Sequence, residues 1–194
     1  MPNDDKEPSV IKIPPSGPLA TTSSTTISTI RVWNDRGSPV TGPPVDPLET
    51  IEYEAGMFFG TVDIVLNDLH RFEELLLRNA VVEDAVLHAR NLCGVFLEDN
   101  PRKDDIVLSQ LFPDWADAKY KTIRAAVSRL REAYGDKKAA SSHQFAFNKM
   151  VMHTTNVRGA YGLYHKPLSD LEPIIREIVS EIESLTGVQF KPIR

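Results

Sequence analysis

The stretch VVEDAVLHARNLCGVFLED, residues 81–99, decides how the chain folds. Its apolar residues fall at Val82, Ala85, Val86, Ala89, Leu92, Cys93, Phe96 and Leu97. That is the i, i+3, i+4, i+7 recurrence of a helix with one buried stripe. Val81, Leu87 and Val95 lie outside the stripe, so the helix is apolar over more than one face. A helix of this kind is central and touches two or more neighbours. The rest of the chain reads as helices packed around it.

On the N-terminal side, Asp46 or Thr50 caps a helix through Ile51, Ala55, Phe58, Phe59, Val62, Val65, Leu66 and Leu69. Gly56 and Gly60 inside it permit a close helix–helix approach, and the polar residues 70–74 either interrupt it before Leu75–Leu77 or are carried within it. On the C-terminal side, Asn100-Pro101 ends the central helix, because the residue before proline is pushed out of the α region. Asp104 caps a short helix with Ile106, Val107, Leu111 and Phe112. Asp114 caps the next, with Ala116, Tyr120, Ile123, Val127, Leu130 and Tyr134 on one face and Gly135 as its stop. A helix over residues 143–155 follows, and residues 158–166 read as a loop. The last helix starts at Ser169 or Asp170, buries Leu171, Ile174, Ile175, Ile178, Ile182 and Leu185, and stops at Gly187.

Residues 1–47 differ from this pattern. They hold nine of the 14 prolines (Pro2, Pro8, Pro14, Pro15, Pro18, Pro39, Pro43, Pro44, Pro47) and a Ser/Thr run over residues 21–26. Such a segment buries little. Residues 10–13 and 27–33 are candidate short strands. A flexible tail is the expectation for residues 1–25, while residues 27–33, ending at Trp33, read either as flexible or as a strand or extended arm lying on the body or a partner. The expected architecture is all-α: a five- or six-helix bundle over residues 48–194, with a Pro/Ser/Thr-rich extended N-terminal arm over residues 1–47.

The chain has 194 residues and is 41% hydrophobic, enough for one sizeable core. No apolar run approaches the roughly 20 residues of a membrane span, and the N-terminus has no secretory h-region. These features lead to the expectation of a cytoplasmic protein without a membrane partner. Cys93 is the only cysteine and sits in the apolar stripe as a small core residue. The net charge of -5 argues against a general nucleic-acid coat. The sequence has no metal motif, no Gly-rich phosphate loop and no serine-hydrolase elbow, so neither a metal nor a cofactor is expected.

Three constellations carry chemistry. Asp84 and His88 are one turn apart and can pair, as an orienter and a base or as a satisfied boundary histidine. His88 and Arg90 are about 200° apart around the helix and cannot form one compact site alone. Asn148, Lys149 and His153 share a helical surface suited to a phosphate. Lys121, Arg124 and Arg131 line up beside the apolar face of their helix, a stripe that could meet RNA phosphates or an acidic partner. The plainer alternative for both surfaces is a solvated helix face, in the second case balanced by the acidic last helix.

Leu87-His88-Ala89-Arg90-Asn91-Leu92, Asp104-Asp105, Trp115, and Asn148-Lys149 with His153 together resemble the HEPN superfamily and small bacterial helical proteins with an "LHxRNL" segment and a late "NKxxxH". The resemblance covers about residues 50–190. It implies a metal-independent ribonuclease or toxin component acting on RNA, with His153 moving a proton and an arginine steadying the scissile phosphate, commonly across a dimer. The family's arginine is missing here. Phe147 and Ala146 stand six and seven residues before His153, and Lys149 lacks arginine's bidentate fork. Arg90 or Arg158 would have to substitute in space. A non-catalytic interaction or assembly protein, working as a homo-oligomer or with a protein partner, therefore fits the sequence better than an active nuclease.

Overall fold

A computed structural model describes residues 31–33, 39–41, 46–102, 105–112, 114–151 and 162–190. Near the N-terminus a two-stranded antiparallel ladder joins β1 (Arg31–Trp33) to β2 (Pro39–Thr41), with Val32 opposite Val40. Of the candidate strand over residues 27–33, residues 31–33 are described and extended. Residues 27–30 and the candidate strand at residues 10–13 lie outside the described residues.

The body is helical, with six α-helices among the described residues. The first, α1 (Pro47–Asp63), starts where Asp46 accepts the Leu48 amide on Oδ1 at 2.9 Å, with proline in the first helical position, where its missing N–H costs nothing. It runs into a wide π-type turn at Ile64–Asp68 and a tight 3-10 turn at Leu69–Arg71. The chain then extends for three residues before α2 (Leu75–Leu97), which begins seven residues before Val82, the first residue of the apolar stripe. Beyond it lie α3 (Leu108–Leu111), α4 (Lys121–Tyr134), α5 (His143–Val151) and α6 (Gly162–Thr186).

As expected of an all-round apolar helix, α2 is central. It packs against α1, α4, α5 and α6, while α4 runs along α6. Its Ala85, Val86, Ala89 and Leu92 are wholly buried, facing a core that includes Phe58 of α1, Leu130 of α4, Phe147 of α5 and Ile175 of α6. No described helix is long and apolar enough to cross a membrane.

Several boundaries depart from expectation. Ile106 and Val107 precede α3 rather than belonging to it, because Gln110 Oε1 accepts the Val107 amide and Gln110 Nε2 reaches back to Asp105 O, which fixes a non-helical entry. The expected cap at Asp104 lies outside the described residues. Asp114 does not cap α4; Asp117 does so for a preceding 3-10 turn at Ala118–Tyr120, accepting the Lys119 amide at 3.0 Å. The last helix begins seven residues before Ser169. Pro167 and Pro173 are both accommodated inside it, and Ser169 donates to Lys166 O, so that Tyr164 and His165 are helical rather than in a loop. Gly135 and Gly187 stop their helices as read, at φ of 75° and 73°.

Truncating Leu92 to Ala should remove about 3 kcal/mol of stability, because the side chain is wholly buried where four helices meet. Denaturant unfolding followed by circular dichroism checks this. Lys121→Ala, on an exposed side chain, should stay within about 0.5 kcal/mol.

Candidate functional site

Among the described residues, the helices line a cleft of about 650 Å³ against the C-terminal half of α2. Thr50 and Glu54 of α1 are one turn apart and both line it. Arg90, Asn91, Gly94, Leu97 and Glu98 contribute a second helical face, Gln144 and Asn148 a third from α5, and Arg131 with Tyr134 closes the α4 side.

Beside the cleft lies a polar network. His88 is only 5% exposed. Its Nδ1 is 2.6 Å from Glu54 Oε2, and its Nε2 is 3.4 Å from Asp84 Oδ1. The same Glu54 oxygen accepts from Asn91 Nδ2 at 3.1 Å, and the Tyr53 ring stands edge-on to the imidazole. The Asp84–His88 pair read from spacing is therefore present, but its shorter bond goes to another helix. On the other flank of α2, Arg90 Nε donates to Asn148 Oδ1 at 3.1 Å. The structure thus brings Arg90 and Asn148 together and keeps His88 on the opposite flank, as the 200° separation requires.

Burial pulls the His88 pKa down, while the Glu54 hydrogen bond and the charges of Glu54 and Asp84 push it up; the balance lies above the ordinary 6.5. Both ring nitrogens face carboxylates, so neither is free to act as a base toward the cleft. Burial pushes the Cys93 thiol far up, leaving it no nucleophile at neutral pH. Burial likewise raises the Tyr134 hydroxyl, with Arg90 pulling the other way. The described lining holds cations, amides and carboxylates, groups that can hydrogen-bond a polar ligand.

His153 and Arg158 lie outside the described residues. Lys149 is exposed, with Nζ 5.4 Å from the Phe145 ring centroid. The basic stripe is largely tied up within the fold. Arg124 donates to the carbonyls of Trp115 and Asp117, Arg131 forks onto Asp99 at 2.8 and 2.9 Å, and Arg129 pairs with Glu177 of α6. Lys121 stays exposed. Glu54 escaped the sequence reading because nothing local separates it from a solvated helix carboxylate. Its one signal is position, next to the buried Ala55 and one turn beyond Thr50. His143, which meets Asp170 of α6 at 3.0 Å, was missed for the same reason.

The chain was compared with protein families, with curated proteins and with solved structures, and none matches.

A histidine whose pKa is raised on folding contributes stability that is fully present below 6.5 and lost as pH climbs through the raised value. Calorimetry should show the melting temperature of the native chain falling as pH rises above 6.5, and His88→Gln should flatten that dependence. Parallel curves for the two proteins would mean that the network carries no proton linkage.

Proposed function

We propose that this chain is an interaction or assembly protein whose cleft binds rather than reacts, and that it works as a homo-oligomer. The observation that carries the reading is the first turn of α2. Leu75, Leu76 and Leu77 are 62, 75 and 45% exposed, and Leu87 further along the helix is also exposed. Consecutive exposed leucines are costly in water, and covering each contributes roughly 1.5–3 kcal/mol. A second copy is the natural cover. Glu73 and Glu74 precede the leucines and Arg78 follows them, so two copies meeting antiparallel about a twofold axis set acid against base at each end. Light scattering coupled to size exclusion should give an oligomer for the native chain and a monomer for Leu76→Glu. A native chain that is monomeric at high concentration sinks this reading.

A second reading rests on a different observation. Arg90 and Asn148 are 58 positions apart in sequence and hydrogen-bonded at the edge of the cleft. In a HEPN-like protein acting on RNA, Arg90 would supply the missing arginine and His153 the proton transfer. This reading expects cleavage of a labelled RNA without added metal, abolished by either Arg90→Gln or His153→Ala. Cleavage that survives His153→Ala removes it.

A further inference from the structure

We propose that the cleft between α1, α2, α4 and α5 is a binding site for a small amino-acid-like zwitterion, its carboxylate seated on Arg90 and its body lying against the α2 backbone at Gly94. The first support is Gly94 itself. It sits inside a regular helix, where glycine is about 1 kcal/mol worse than alanine. It has no positive φ, and a Cβ added there would meet no described atom within 4 Å. Nothing described in the fold asks for a glycine here. Its surface is open and lines the cleft. A glycine facing an empty space lets something outside the chain approach the helix backbone closely.

The second support is the chemistry around it. Asn148 holds Arg90 through Nε alone, which leaves its two terminal nitrogens without a partner among the described residues. They form the fork that grips a carboxylate. The Asn91, Gln144 and Asn148 amides line the same cleft, and Val95, Leu97, Ile106 and Val107 supply apolar wall. The volume of about 650 Å³ is that of a small-molecule site.

The third support is charge. Glu54, Glu98 and Asp105 also line the cleft, with Arg90 and Lys137 as the cations facing them, while the neighbouring Arg131 is spent on Asp99 and Leu97 O. A polyanion would meet three carboxylates against two cations, whereas a ligand with one anionic end and one ammonium end is matched at both. The lining thus favours a zwitterion over a strand of nucleic acid.

The test is a thermal-melt screen of the full chain against each of the twenty amino acids, with sodium acetate plus ammonium chloride, uridine monophosphate and a single-stranded RNA oligomer as comparators. At about ten times its Kd, an amino acid that fits should raise Tm by roughly 4 °C, and the acetate and ammonium mixture should not. Gly94→Leu projects a side chain into the cleft from a position where a Cβ meets no described atom within 4 Å, and it removes the helix penalty. Its own Tm should hold or rise while the response to the amino acid disappears. Arg90→Gln keeps an amide for Asn148 and should lose the response as well. The proposal is overturned if no amino acid shifts the melt, if a shift persists in both variants, or if only the nucleotide or the RNA stabilises the protein.

Discussion

A helix buried by four neighbours has little room for a polar side chain, and α2 carries one at the centre of its length. His88 is tolerable there only because Glu54 reaches across from α1 to meet it. An imidazole left unpaired in that position would forfeit the hydration of both nitrogens. The bond is reciprocal in effect. Glu54 is itself largely covered and is held by His88 and Asn91 together, so neither carboxylate nor imidazole is buried without a partner. The register between α1 and α2 follows, since a slip of one residue on either helix separates the pair. That register places Thr50 and Glu54 opposite Arg90, Asn91 and Gly94, and so defines one wall of the cleft.

Much of this was legible in the sequence, and the part that was not has a common cause. The apolar stripe from Val82 to Phe96 is a one-helix property, and it announced a central helix surrounded by others. The stops at Gly135 and Gly187 are likewise local, because φ near +75° suits glycine and few other residues. Starts were read less well. The last helix runs through Pro167 and takes in Tyr164, which is buried in the core, so packing overrode the loop reading at Tyr164 and His165. The entry to α3 is set by Gln110 folding back on Asp105, a bond that no propensity encodes.

The site divides in the same way. Asp84 and His88 are i, i+4 neighbours and visible from spacing. Glu54 with His88, Arg90 with Asn148, and His143 with Asp170 join residues 34, 58 and 27 positions apart, and only the fold chooses them. The basic stripe of α4 shows the converse error. Lys121, Arg124 and Arg131 do line one side of a helix, but Arg124 and Arg131 spend their guanidinium groups on Trp115, Asp117, Asp99 and Leu97. A charge counted from sequence is not a charge available to a ligand.

The two surfaces that carry the functional proposals occupy opposite ends of one helix. Leu76 and Gly94 are 18 residues apart on α2, which at 1.5 Å per residue is roughly 27 Å. Helix α2 is fixed by core contacts along the length between them, from Val82 to Phe96. Closely packed interiors do not deform smoothly, so a contact at the first turn has no ready route to alter the spacing of Arg90 and Asn148. A second copy seated on the leucines would therefore leave the cleft open, and a ligand in the cleft would leave the leucines uncovered. Changes at the two ends are far enough apart to add independently.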